Sequence, residues 1–207
     1  MYPALAATSA TLRQMLVDSM AADIGPFGLA GFFSAGGTTI SLETPREMRD
    51  AGQQGLSVWL YRVARDENRL NDPPAVRTLP NGTVEVIPTP LPIRLHYLMT
   101  PLANSNPDTE QRILGRVLQL FHTVPIVSGS LLQAEFAGTA TELHVHLEAL
   151  GLDEITRVWE ALEGSYQLSV SYEVSLPRIH SAADPVHETL VESVRAHHAL
   201  IVAQESA

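Results

Sequence analysis

Leu56-Ser-Val-Trp-Leu-Tyr-Arg-Val-Ala-Arg-Asp-Glu-Asn-Arg-Leu-Asn-Asp72 runs a period-two strand straight into a highly polar corner. Leu56, Val58 and Leu60 face one way, and Trp59, Tyr61 and Val63 face the other. Two largely apolar faces suit a central strand covered on both sides. From Arg65 to Asp72 the chain turns charged, so it is expected to emerge into water or against a partner. The stretch reads as framework leading into a contact loop, with no catalytic group needed to explain it.

Working outward, three more strands have comparable signals. Over Leu91 to Met99, Ile93, Leu95, Tyr97 and Met99 alternate with Arg94 and His96. Over Glu142 to Leu150, Leu143, Val145 and Leu147 oppose His144, His146 and Glu148. Over Leu168 to Leu176, apolar residues oppose Ser169, Ser171, Glu173 and Ser175. The last two alternations predict one face on a core and one toward water or a partner. Thr39 to Glu43 reads as a short strand, and Arg46 to Gly55 as a polar loop. Asn71 to Pro90 is rich in proline and carries an Asn81-Gly82 turn signal, which predicts a long connection with room for a small hairpin.

Helical spacing appears in four places. Pro3 to about Ala22 carries Leu5, Leu12, Met15, Leu16 and Met20 in one stripe and stops before Gly25-Pro26. Asp108 to His122 and Asp153 to Leu162 each begin near an aspartate, which suits a helix N-terminus. Pro185 to Val202 reads as a helix that either completes the core or forms an arm. The resulting fold class is α+β: one mixed or antiparallel sheet of four to five strands, helices packed on one face, and a C-terminal helix or arm. The expected organisation is a single domain over 1–181, with a glycine-rich loop at 24–38, followed by the segment 182–207.

Composition removes several functions. The 207 residues carry a net charge of −10, which argues against a sequence-independent nucleic-acid binder. Cysteine is absent, so there are no disulfides, thiolate ligands or cysteine nucleophile. The N-terminus lacks the basic start and apolar run of a secretory signal, and the uncharged stretch from Ile24 to Leu42 holds too much glycine for a spanning helix. Neither a membrane nor a nucleic acid is therefore an expected partner, and synthesis in the cytoplasm is the expected origin.

Site chemistry is sparse. His144 and His146 share a strand face and have the spacing of a metal-ligating pair. Glu148 shares that face but stands about 13 Å from His144 along an extended strand, so a third ligand would come from elsewhere, such as His96 or His122. Glu142, Glu148, Glu154 and Glu173 read as a solvated face. Ser128-Gly129-Ser130 is not a nucleophile elbow, and no phosphate loop or dinucleotide fingerprint is present. No cofactor, metal or catalytic residue is expected.

Four strings in order carry a resemblance. They are Leu60-Tyr-Arg-Val63 with Asn71, Leu91-Pro-Ile-Arg-Leu-His-Tyr-Leu-Met-Thr-Pro101, and Leu114-Gly-Arg-Val-Leu-Gln-Leu-Phe-His122 with Pro125, Ser128 and Gly129; the fourth is Ile155-Thr-Arg-Val-Trp-Glu-Ala-Leu162 running into Tyr166-Gln-Leu-Ser-Val-Ser-Tyr-Glu-Val174. Over about residues 4–180 the chain resembles the tail terminator, or cap, proteins of extracellular contractile injection systems of the virulence-cassette and antifeeding-prophage type. That resemblance implies a non-enzymatic structural protein. It implies a homohexameric ring on the baseplate-distal end of the inner tube, with the inner tube protein and the sheath protein as partners. By the same resemblance, the ring would end polymerisation and anchor the sheath. Residues 24–38 and 182–207 are the parts it covers least. The expected interface residues are Arg62, Arg65, Asp66, Glu67, Asn68, Arg69 and Asn71 at the corner and Ser128, Gly129 and Ser130 in the loop after Val127. Two alternatives stay open: a small metal-dependent enzyme using the sheet histidines, and a baseplate or tube adaptor of the same machine.

Overall fold

The structure, a computed structural model, describes residues 3–69, 75–80, 83–87, 91–104, 106–175 and 186–188. In chain order the helices and strands are α1 (Ala4–Ala21), α2 (Ala30–Ser34), β1 (Thr38–Ser41), α3 (Pro45–Asp50), β2 (Gln54–Arg65), β3 (Ala75–Thr78), β4 (Val84–Ile87), β5 (Ile93–Leu102), α4 (Pro107–Thr123), β6 (Ile126–Ser128), β7 (Glu142–Glu148), α5 (Leu152–Ala161), β8 (Val170–Ser175) and β9 (Val186–Glu188). They divide into two compact units: Met1–Asn71 with Pro90–His180, and Asp72–Thr89 with Ser181–Ala207. The α+β class holds. Among the described residues no helix is long and apolar enough to cross a membrane.

The first unit is built on a six-stranded sheet in the order β1-β2-β5-β8-β7-β6. β1 runs parallel to β2 and every other pair is antiparallel. The sheet has one strand more than expected. β6 escapes sequence reading because it is three residues long and buries only Val127; main-chain pairing with β7, not side-chain pattern, makes it a strand.

One face of the sheet carries Leu56, Val58, Leu95, Tyr97, Met99, Leu143, Val145, Tyr172 and Val174. α1 and α4 cover it with Leu12, Leu16 and Met20, and with Ile113, Val117 and Phe121. Several of their polar groups are answered inside this layer, although the Ser19 hydroxyl has no hydrogen-bond partner. Thr8 and Thr11 donate to the carbonyls of Ala4 and Ala7, each at 2.8 Å. The Ser9 and Tyr97 hydroxyls lie 2.8 Å apart, and the Gln133 amide donates to Thr11 Oγ1 at 3.0 Å. A buried hydroxyl without such a partner would cost roughly 1–3 kcal/mol.

The opposite face is not bare. α5 packs Ile155 and Trp159, and its C-cap Leu162, against Leu98, with Trp59 and Tyr61 at the margin. The helices therefore lie on both faces, correcting the one-face expectation. The physical reason is the second apolar row of the opening strand, Trp59 and Tyr61, which needs its own cover.

Three local readings also change. Arg46–Gly55 is not all loop: α3 is capped by Thr44, whose side chain accepts from the Glu47 amide while Glu47 Oε2 accepts from the Thr44 amide. Thr44-Pro-Arg-Glu47 is a capping box with proline at the first helical position. Within the glycine-rich 24–38 stretch, Ala30–Ser34 is helical, anchored where the Leu29 amide donates to Asp23 at 3.0 Å. In β2 the pairing shifts between Leu60 and Arg62, so Tyr61 is an extra residue. Beyond that bulge the faces exchange, and Val63 stands opposite Leu95 rather than on the Trp59 side.

The second unit holds a three-stranded antiparallel sheet, β3-β4-β9. β3 and β4 are the small hairpin expected within Asn71–Pro90. Val186–Glu188 is a strand paired with β4, not the start of the helix read over Pro185–Val202. Three residues starting at Val186 satisfy either period, and the ladder Val84↔Glu188 to Val86↔Val186 decides between them. The rest of the 182–207 segment lies outside the described residues.

Candidate functional site

α5 covers only part of the second sheet face. The remainder is a polar field assembled by register. Arg62 of β2 stands opposite His96 of β5, His96 opposite Glu173 of β8, and Glu173 opposite His146 of β7. One step along, Ser171 of β8 stands opposite Glu148 of β7. The bulge at Tyr61 brings its phenol into the same field.

The groups bind one another closely. Ser171 Oγ donates to Glu148 Oε2 at 2.7 Å, and the Tyr61 hydroxyl reaches the same oxygen at 3.2 Å. His96 Nδ1 lies 3.1 and 3.2 Å from the two Glu148 oxygens. Burial pushes the Glu148 carboxyl up. The Ser171, His96 and Tyr61 contacts outweigh it and hold the carboxyl below the ordinary carboxylate value. Burial pushes the Tyr61 phenol up to about 12, so it remains a donor at neutral pH.

Beside this network sits the polar corner. Arg94 Nη2 donates to Asp66 Oδ1 at 2.6 Å and Nη1 to Glu173 Oε2 at 3.3 Å. Asp66 is 4% exposed. Burial raises its carboxyl, but the Arg94 guanidinium and the Asn68 amide overcome this and hold it below the ordinary value. The Asp66 amide also donates to the Pro92 carbonyl at 3.0 Å, and the Arg69 amide to the Asp66 carbonyl at 3.3 Å. The short 3-10 turn Glu67–Arg69 is thus tied to the start of β5.

The expected contact residues fall into two separate places. Arg62, Arg65, Glu67 and Asn68 are exposed and line one cleft of about 340 Å³ with Arg94, His96, Glu148 and Glu173. Arg69 is half-buried. Asp66 is turned inward as the corner's brace, and Asn71 lies outside the described residues. Ser128, Gly129 and Ser130 are exposed at the far edge of the sheet, with β5, β8 and β7 between β6 and β2. Gly129 has φ +62 where β6 gives way to a 3-10 turn.

The histidine pair expected as a metal candidate is present as stacked rings, His144 and His146, with centroids 6.5 Å apart. Glu148 does not join them; it turns to His96. Nor are the carboxylates a uniformly solvated face: Glu148 and Glu173 are half-buried, and Glu154 accepts from the Gly151 amide at the start of α5. The donor atoms that do come together are those of His96, Glu148 and Glu173, all within 4.8 Å of one another. Sequence reading singled out each strand's polar face but not which faces would meet. The missing information was cross-strand register.

Ser171 donates to a carboxylate that His96 and Tyr61 also hold, so its hydroxyl braces Glu148. The arrangement suits holding a shape.

No curated protein matches the chain. The fold is similar to a sheath/tube terminator of an extracellular contractile injection system, PVC, in the extended state, with 18% identity and a TM-score of 0.60. That match covers 96% of this chain and 64% of the other. It is also similar to the anti-feeding prophage cap, described as an AFP tube terminating cap, with 17% identity and a TM-score of 0.56, covering 89% of this chain and 59% of that one. The chain thus spans less than two-thirds of the length of either solved structure. A family model described as the Pvc16 N-terminal domain matches residues 7–193. This chain belongs to that family.

Proposed function

We propose that this protein is a non-enzymatic terminator of a contractile injection particle. It forms a homohexameric ring on the baseplate-distal end of the inner tube, stops tube and sheath growth, and anchors the sheath. The observation that carries the reading is the likeness of nearly the whole chain to a sheath/tube terminator.

The physics suits a cap. An open tube end presents the same subunit interface at every layer, so growth continues until a different surface covers it. A ring matching the tube's cyclic symmetry lets each subunit make the same contact. Weak contacts per subunit then multiply through avidity. The corner of Arg62, Arg65, Glu67 and Asn68, and the loop of Ser128, Gly129 and Ser130, are the proposed contact surfaces. Six copies at −10 each would carry −60, and exposed Arg62 and Arg65 offer counter-charge to a neighbour. Exposed ion pairs are each worth roughly 0–1 kcal/mol, so apolar and main-chain contacts dominate closure and charge sets register.

The test is location. Particles assembled with a gold-labelled chain should carry label at the end away from the baseplate. Label at the baseplate end would make the protein an adaptor instead.

A further inference from the structure

We infer that His96, Glu148 and Glu173 form a binding site for one divalent transition-metal ion of the zinc class, clipping β5, β7 and β8 together beside the polar corner. The inference does not rest on the proposed capping role, and its failure would leave that role untouched.

Two observations meet here. The first is geometry. One imidazole and two carboxylates place their donor atoms within 4.8 Å of one another. Ligands at about 2.0–2.1 Å from a tetrahedral zinc stand about 3.3 Å apart, so the existing 3.1 Å between His96 Nδ1 and Glu148 Oε1 already fits one edge. Glu173, on the neighbouring strand, closes the remainder by rotation of a side chain only 21% exposed. The cleft of about 340 Å³ that these residues line has room for water to complete the coordination.

The second observation is charge. Arg94 is divided between Asp66 and Glu173, while Glu148 lies against His96. Arg62 and Arg65 stand at the exposed rim of the cleft, so among its more buried groups three carboxylates share one guanidinium, an imbalance that a dication at the imidazole would reduce.

The chemistry selects the metal. Mixed imidazole and carboxylate donors suit zinc, manganese or iron(II), and without thiolates a copper(I) site is disfavoured. Binding replaces any proton on Nδ1 by the ion. It also draws Glu173 away from Arg94, leaving that guanidinium to Asp66 alone. Occupancy would therefore tighten the brace under Glu67–Arg69.

The test uses the full chain stripped with chelator and titrated with zinc chloride in a calorimeter. The expected result is one ion per chain and a rise in the thermal midpoint. Glu173→Gln, at the cleft rim, should weaken binding at least about tenfold while the protein remains folded by circular dichroism. His96→Asn should do the same, but it is buried and serves only as the second variant. His144→Ala, which breaks the stacked pair without touching the partner of Glu173, should leave affinity unchanged. Absence of stoichiometric zinc binding to the unmodified chain would overturn the inference. So would binding that survives Glu173→Gln, whether or not it disappears with His144→Ala.

Discussion

Arg94 Nη2 donates to Asp66 Oδ1 at 2.6 Å, joining a strand's second residue to a corner 28 positions earlier in the chain. The bond converts a run of charge into a fixed platform. It leaves Arg62, Arg65, Glu67 and Asn68 exposed around one cleft, while their neighbour Asp66 is buried. Removing Arg94 would strand a buried carboxylate. Arg94→Ala should destabilise the protein by roughly 2–4 kcal/mol, toward the lower part of the range for broken buried pairs because Arg94 is partly exposed. Arg94→Lys should recover only part, since lysine lacks the fork that reaches Asp66 and Glu173 together. Urea unfolding of the three proteins checks both statements.

The same corner sets a pH dependence. The folded-state value of Asp66 lies below its unfolded value, held there by Arg94 and the Asn68 amide against the opposing effect of burial. A depressed carboxylate contributes stability that is present above the unfolded value, about 4, and is lost as pH falls through the folded value. Thermal midpoints measured from pH 7 to pH 3 should fall in the unmodified protein. Asp66→Asn should be less stable at pH 7 and should converge with it at the acid end. Parallel curves would mean that Asp66 carries no such contribution.

The second face offers a packing prediction. Trp159 is 2% exposed, touches Leu98, and donates from Nε1 to Ser169 at 3.3 Å. Trp159→Ala should cost about 3–5 kcal/mol, as large-to-small changes in a core do. A loss below about 1 kcal/mol in chemical denaturation would show that α5 is not part of the cooperative fold.

A glycine fixes the parallel edge. Gly55 has φ +126, and a Cβ there would collide with the Thr39 carbonyl oxygen across the β1–β2 ladder. Gly55→Ala combines backbone strain with that clash and should destabilise by about 1–3 kcal/mol. Hydrogen exchange should show the loss concentrated in Thr38–Ser41 and its partner residues. Uniform exchange change across the sheet would contradict this assignment.

How much of this was legible beforehand depended on period and length. β2, β5, β7 and β8 each run for six or more residues, and their alternating apolar side chains could be read directly from the sequence. β6 and β9, at three residues each, could not, because pairing rather than pattern makes them strands. Thr44-Pro-Arg-Glu47 contained a readable helix start that the polar character of the segment obscured. The site was legible by halves. The alternation marked Arg94, His96, Glu148 and Glu173 as polar-face residues, but it took the register of β5, β8 and β7, and one bulge at Tyr61, to bring them together. Asp66 looked like part of a solvated corner because no local signal announces a partner 28 residues away.

The central claim is that this chain ends the growth of a helical tube, and particle length tests it most directly. Particles assembled with and without the chain can be measured by electron microscopy. With it, lengths should cluster narrowly and sheath should remain attached at the end away from the baseplate. Without it, tube and sheath should run to variable lengths with frayed ends. Uniform particles with firmly attached sheath in its absence would contradict the account.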